Sequence, residues 1–367
     1  MKIPYINLGE QNSEFKKDLK NIFINVLKKG NYVNGKSVEK FERNIAKYCG
    51  TKYAVALNSG TDALTLAMYC LGIKKGDEVL TTPNSFIASA ATIVHLGAKP
   101  VFVDVGDDQN IDVDKIENKI TKRTKCIMPV HLTGRMCNMN KINILAKKYN
   151  LAVIEDAAQS VGSKYMNKRS GSFGDFGCFS AHPLKNLNAI GDSGYLTTNN
   201  YKHFKKIKLL SNHGMFNRNI VKHFGHVSRM DVLQAEILNY KLKNLNKIIK
   251  SRRYNFKLYE TYLNKDNVFF PSEKKDQFNT YHTFVVQVGK RDKLQNYLKL
   301  NGVDTAIHYP IPIHLQPASK YLNYNIGDYP VAEKQAKNIL TLPIHQNLKK
   351  KEIIFIYKLI NKFYEQH

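Results

Sequence analysis

No stretch of this chain approaches the roughly 20 consecutive apolar residues that a membrane-crossing helix requires. The opening Met1-Lys2-Ile3-Pro4-Tyr5 has no apolar core of the secretory kind. Cysteine is scarce, and Cys49, Cys70, Cys126, Cys137 and Cys178 form no CxxC pair and show no metal-ligand spacing with histidine. They read as reduced thiols filling space, and no metal is expected. On these grounds a cytoplasmic protein is expected. Acidic residues are few: 30 Asp and Glu against 56 Lys and Arg leave a formal net charge of +26. Such a surplus raises the question of nucleic acid. There is no long basic arm and no nucleic-acid module, only short clusters such as Lys147-Lys148, Lys205-Lys206 and Lys349-Lys350-Lys351. A Lys- and Asn-rich composition accounts for the surplus, and the resulting field favours anionic small molecules.

The 367 residues are 43% hydrophobic and 23% charged, as in a globular protein of two or three domains. From Tyr53 an α/β rhythm sets in. Strands are expected at Tyr53–Leu57, Asp77–Thr81, Pro100–Val105, Cys126–Pro129, Ala152–Glu155 and Tyr195–Thr198. Helical spacing is seen at 14–29, 37–48, Thr61–Leu71, Phe86–Leu96, Met139–Tyr149, 201–211 and 230–262. Strands alternating with helices imply a mostly parallel sheet covered on both faces. Tyr281–Val288 reads as a strand, Arg291–Asn301 and Ile353–Tyr364 as helices. Residues 1–250 are therefore expected to form a large α/β domain and 251–367 a smaller α+β domain. No internal repeat or low-complexity segment is evident.

In Phe179-Ser180-Ala181-His182-Pro183-Leu184-Lys185 an apolar run enters a turn, and the Gly-rich Gly191-Asp192-Ser193-Gly194 follows. Lys185 therefore stands at the mouth of a buried strand, where lost solvation lowers its pKa and frees its amine for a carbonyl. Asn58-Ser59-Gly60-Thr61-Asp62 lies between a strand and a helix, so it is either an ordinary cap or a phosphate site. Val153-Ile154-Glu155-Asp156 brings two carboxylates to a strand end, as an ion pair, a metal ligand or the partner of a protonated pyridine. Phe86, after another strand, is core or a stacking ring. Taken singly each has a plain structural alternative. Jointly they are the parts that hold pyridoxal 5′-phosphate: Lys185 for a Schiff base, Asp156 for the ring nitrogen, Phe86 for one face, the helix at Thr61 for the phosphate.

Over nearly its whole length the chain also resembles the DegT/DnrJ/EryC1/StrS aminotransferases, which act on sugars and aminocyclitols. The likeness runs through Asn58-Ser59-Gly60-Thr61-Asp62-Ala63-Leu64, Gly76-Asp77-Glu78-Val79 and Gly97-Ala98-Lys99-Pro100-Val101-Phe102-Val103-Asp104. It continues through Pro129-Val130-His131-Leu132, Glu155-Asp156-Ala157-Ala158-Gln159, the Lys185 segment, Ser228-Arg229-Met230-Asp231 and His308-Tyr309-Pro310-Ile311-Pro312-Ile313-His314. The resemblance implies an aspartate-aminotransferase-like fold (fold type I) and a homodimer whose active sites draw on both subunits. It makes Lys185 the Schiff-base lysine and proton shuttle and Asp156 the pyridinium partner. Gln159 would bond the ring hydroxyl, Gly60, Thr61 and Ser180 would hold the phosphate, and Phe86 would stack. Tyr32, Tyr309 and His314 would face a sugar, with His182 a support or a chemical group. Three positions depart from the family pattern: Val227 where an Asn reaches the partner's phosphate site, Ala181 where Phe is usual, and Ser193 where Gly is common.

The implied reaction moves an amino group from L-glutamate to a nucleotide-linked keto-deoxysugar. Gly191-Asp192, where many 4-amino enzymes have Gly-Glu-Gly, leans toward a 3-keto substrate over a 4-keto one. Alternatives are a cyclitol or small phosphorylated ketone as acceptor, and a sugar dehydratase, which carries His where Lys185 stands. A basic binding protein without activity is the reading from a different class.

Overall fold

The computed structural model describes residues 1–366. Helices α1 (Lys16–Lys29) and α2 (Lys36–Cys49) each end on a glycine in the left-handed region, Gly30 and Gly50. The rhythm then begins: β1 (Tyr53–Leu57), α3 (Gly60–Cys70), β2 (Glu78–Thr81), α4 (Ala88–His95), β3 (Lys99–Phe102), β4 (Thr124–Ile127), α5 (Met139–Tyr149), β5 (Ala152–Asp156), β6 (Phe176–Ser180), β7 (Gly194–Thr198), α6 (Tyr201–Leu210) and α7 (Val232–Tyr262). The seven strands form one sheet in the order β1-β7-β6-β5-β4-β2-β3. Its strands are buried almost throughout, as in a sheet covered on both faces. Only β7 runs against the others, antiparallel to both β1 and β6. That is the strand expected to pair back across the lysine loop.

A second sheet joins β8 (Val268–Phe269), β9 (Phe284–Val288) and, after α8 (Arg291–Leu300) and α9 (Pro330–Asn338), β10 (Ile339–Leu342), all antiparallel. Helix α10 (Lys350–Gln366) closes the chain's described part and packs Ile353, Ile356, Ile360 and Phe363 on this sheet's core. Helix α7 serves two cores. Val232, Ala235, Leu238, Leu245 and Ile249 belong to the large sheet's core, whereas Phe256 and Tyr259 belong to the small one, so residue 250 lies between the two sets. Ile3 is buried in the second core and bridges to Val303, which ties the first residues to the C-terminal body.

Two departures from expectation have a local cause. The strand expected from Tyr281 starts at Phe284, because Tyr281 takes a left-handed φ of 47° that breaks the ladder. Helix α9 and strand β10 abut without a loop, so a 3.6 period passes straight into a period of two and neither pattern is long enough to read.

Candidate active site

The carboxyl ends of β1, β5 and β6 meet at one edge of the large sheet, the place where ligand sites of open α/β sheets form. They open into a cavity of about 440 Å³ lined by Gly60, Thr61, Phe86, Asp156, Gln159, Ser180, His182, Lys185 and Tyr309. Lys185 is half-buried, on a turn closed by its own N–H donating to the His182 carbonyl at 2.9 Å. Burial pulls its amine down to about 8, against an opposing pull from the Asp156 carboxylate.

Successive residues of a strand point to opposite faces, which separates the two carboxylates at the end of β5. Glu155 is fully buried and saturated: it accepts from the N–H groups of Gly171 (2.9 Å), Phe173 (2.7 Å) and Gly174 (2.9 Å), and meets His131 Nε2 at 3.0 Å. Cys137 N–H donates to His131 Nδ1 at 3.2 Å, which leaves the ring proton on Nε2 to donate to Glu155. This carboxylate is structural. Asp156 turns to the cavity and accepts only neutral donors, Ser89 Oγ at 2.7 Å and Ala158 N–H at 3.2 Å. Burial raises its pKa, while those two bonds, Lys185 and His131 pull it back. A buried carboxylate with neutral partners is a receptor for a cation.

Helix α3 begins at the cavity wall. Ser59 Oγ takes the Asp62 N–H at 3.0 Å, and the N–H groups of Gly60 and Thr61 have no acceptor within the helix. Glycine is required at two places here. A Cβ on Gly60 would stand 2.9 Å from Ser180 Cβ, and one on Gly194 would overlap the Ser59 carbonyl. The helix start, Ser180 and the head of β7 thus close into a small cradle of donors on the positive end of the helix. Phe86 is 57% exposed at the cavity mouth, its ring centre 6.3 Å from that of Tyr309. Gln159 Oε1 accepts from Thr133 N–H at 2.8 Å, so its Nε2 is the end facing the cavity, 3.4 Å from Tyr309 Oη.

Two expected residues are elsewhere. His314 does not reach the cavity: it is 2% exposed, packed on Phe102 and Tyr329, with Nε2 on Glu333 at 3.1 Å. The helical turn Ile313–Leu315 directs it inward, and the Ile313 N–H bond to the Pro83 carbonyl holds that turn. Tyr32 does not line its own chain's cavity either. It is 51% exposed, and its carbonyl accepts from Val232 N–H at the start of α7. His182 does line the cavity, and its Nδ1 accepts from Leu184 N–H. Of the departures, Val227 is 52% exposed outside the cavity, and Ala181 and Ser193 are buried where Ala181 N–H meets the Ser193 carbonyl.

The sequence reading missed Ser89, which anchors Asp156, and two neutral histidines in the wall, His282 and His308. Burial first, then Lys185, takes His308 down to about 4 and His282 well below its ordinary value. Ser89 had a faint signal, one helical turn beyond Phe86. His282 had none.

A cradle that excludes any Cβ, a buried carboxylate awaiting a cation and an amine poised near 8 fit the phosphate, ring nitrogen and aldehyde of pyridoxal 5′-phosphate. Fold and site together are those of a pyridoxal-phosphate-dependent aminotransferase of fold type I. The DegT/DnrJ/EryC1/StrS aminotransferase family matches residues 13–361, and the chain belongs to it. It is 40% identical over 364 residues to the dTDP-3-amino-3,6-dideoxy-alpha-D-galactopyranose transaminase of Aneurinibacillus thermoaerophilus, covering 98% of this chain and 99% of that one. Streptomyces venezuelae DesV, solved as a complex with a ketimine intermediate, superposes with a TM-score of 0.96 at 33% identity, covering 99% of both chains. Bacillus subtilis NtdA, solved with the cofactor PMP, gives 0.90 at 32% identity over 98% of this chain and 85% of that one. No helix among the described residues is long and apolar enough to cross a membrane.

Proposed function

We propose that this aminotransferase carries an amino group from L-glutamate to the keto group of a nucleotide-linked deoxysugar, at carbon 3. The observation that carries the reading is the meeting of Lys185, Asp156 and the free start of α3 in one cavity. The family and the A. thermoaerophilus relative support the substrate class, and Asp192 in the cavity wall supports carbon 3 over carbon 4. We place the enzyme in the cytoplasm, where its five buried free thiols stay reduced. A second copy would complete the site, with Tyr32 meeting the partner's sugar. The outward Tyr32 and Phe224, 51% and 95% exposed, suit such a contact.

The bound cofactor supplies an aldehyde for the lysine and a protonated ring that withdraws electrons from the substrate carbon. Gly60, Thr61 and Ser180 would hold its phosphate, Phe86 would cover one face, and Gln159 Nε2 would donate toward the ring hydroxyl. Asp156 would keep the proton on the ring nitrogen. Lys185, once its amine is free, would take the proton from the α-carbon of glutamate and return it to the cofactor side. Water supplies the keto oxygen of the departing 2-oxoglutarate, and the amino nitrogen and electron pair stay with the cofactor. In the second half-reaction Lys185 would deliver a proton to the sugar carbon that receives nitrogen.

The test is the visible spectrum with pyridoxal phosphate before and after excess L-glutamate. A band near about 410–430 nm that glutamate moves toward about 330 nm is expected for a lysine Schiff base accepting an amino group. No band ends the aminotransferase reading of this site. A band indifferent to glutamate ends only the choice of donor.

A pH prediction follows from the Lys185 amine. In cofactor-free protein, Schiff-base formation with pyridoxal phosphate speeds up as pH rises through about 8 and levels off above it. A solvated lysine would keep gaining rate toward about 10.4. Stopped-flow absorbance between pH 6.5 and 10 separates the two profiles.

A further inference from the structure

Helix α7 runs behind the loop that carries Lys185 and grips it at two points. Gln234 brackets Ile190: its Oε1 accepts from Ile190 N–H at 2.9 Å and its Nε2 donates to the Ile190 carbonyl at 3.0 Å. Seven residues on, two turns along the same face, Lys241 donates from Nζ to Asn188 Oδ1. Asn188 Nδ2 in turn donates to the Lys185 main-chain carbonyl at 2.8 Å. Lys241 is 3% exposed, and Asn188 is its one hydrogen-bond partner among the described residues. A buried ammonium without a counter-ion is costly, and a methionine would fill the same space at less cost. The mechanism derived above makes no use of this charge.

We propose that Lys241 is a positioning residue for Lys185, fixing through Asn188 the carbonyl of the lysine and so the direction in which its amine enters the cavity. The proposal rests on Lys185 being the amine that reacts. The loop needs such a hold. Its 185–190 stretch is irregular, and its remaining ties are Lys185 N–H to the His182 carbonyl, Asn186 Nδ2 to the Thr280 carbonyl and Ala189 N–H to the Ala181 carbonyl. None of these reaches the Lys185 carbonyl. Burial pulls the Lys241 amine down to about 8. Below that pH it is a charged donor that polarises the Asn188 amide and strengthens the bond it passes on, and above it the neutral amine still donates. A misplacement of about 1 Å at a reacting group can cost about 100-fold in rate.

The test uses the full chain stripped of cofactor and measures the second-order rate constant for Schiff-base formation with pyridoxal phosphate, alongside thermal melts. Lys241→Met is expected to react about tenfold more slowly while melting no lower than wild type. Asn188→Ala should lose about as much, and the double variant no more than the slower single one, because both act along one path. Lys241→Gln keeps a donor without the charge and should return to within about threefold of wild type. Wild-type speed in Lys241→Met, or losses that multiply in the double variant, would overturn the proposal. Should Lys241→Met not fold, Lys241→Gln combined with Asn188→Ala carries the same cycle, with multiplying losses again the overturning result. Absence of the Schiff-base band in wild type removes the reading of Lys185 itself, a result distinct from a wild-type band that the variants leave unchanged.

Discussion

Lys185→Ala is expected to lose turnover by about 10⁴-fold or more while keeping its fold. Two losses combine at one atom. The amine that fastens the aldehyde is gone, and so is the base that moves the proton at the substrate carbon. Burial holds the wild-type amine at about 8, so about a tenth of it is free at pH 7 and about half at pH 8, far more than for a solvated lysine. The other groups described in the cavity are poor substitutes: burial leaves His282 and His308 too weakly basic, Tyr309 is pushed up to about 12, and His182 spends its Nδ1 lone pair on the Leu184 N–H. The variant should still bind pyridoxal phosphate through the helix start and Asp156, showing the spectrum of the free aldehyde. Added methylamine should restore a small part of the proton transfer by diffusing into the space left by the side chain. Turnover assays, the spectrum and a thermal melt check the three parts. A variant that keeps the 410–430 nm band would show that another lysine forms the Schiff base.

How much of this was legible beforehand depends on how local its cause is. β1, α5 and the run into Lys185 are short periodic segments ended by polar or turn residues, so their positions followed from the pattern alone. The carboxyl edge of the sheet then brought Gly60, Asp156, Ser180 and Lys185 together, because α/β connectivity puts every such strand end on one side. The division of labour between Glu155 and Asp156 was not available from the strand's alternation, which says only that they face opposite ways. It depends on the 171–174 turn and His131 closing over one of them. His314 shows the same limit. It lies six residues after His308 in one motif, yet a single helical turn sends it into the Phe102 and Tyr329 cluster while His308 lines the cavity. His282 came from a segment that reads as strand and is bent at Tyr281 by a left-handed residue. Lys241 sits 56 positions from Lys185, and only the packing of α7 behind the loop relates them.

Asp156→Asn should move activity and stability in opposite directions. With cofactor bound, the carboxylate would be the counter-charge of the ring nitrogen's proton, inside a cavity where its other partners are neutral donors. Removing one member of a buried charge pair costs about 3–5 kcal/mol, so kcat is expected to fall about 10² to 10⁴-fold. The Schiff base at Lys185 should still form, since the amine remains. Without cofactor the same carboxylate is a liability. Burial raises its pKa in the folded chain above the unfolded value, so it favours folding only while protonated. The sign follows: below the ordinary aspartate value of about 3.9 both states hold the proton and the charge imposes no penalty. As pH rises through the raised folded value, the penalty appears and persists to neutrality. Cofactor-free Asp156→Asn should therefore melt above cofactor-free wild type at pH 8, and the gap should close toward pH 4. Adding pyridoxal phosphate should reverse the order, because wild type gains the ion pair and the variant does not. Melts at two pH values, with and without cofactor, give four numbers for each protein. A variant less stable than wild type without cofactor at pH 8 would mean that Asp156 is held by a cation of the chain itself, and its role would then be structural, like that of Glu155.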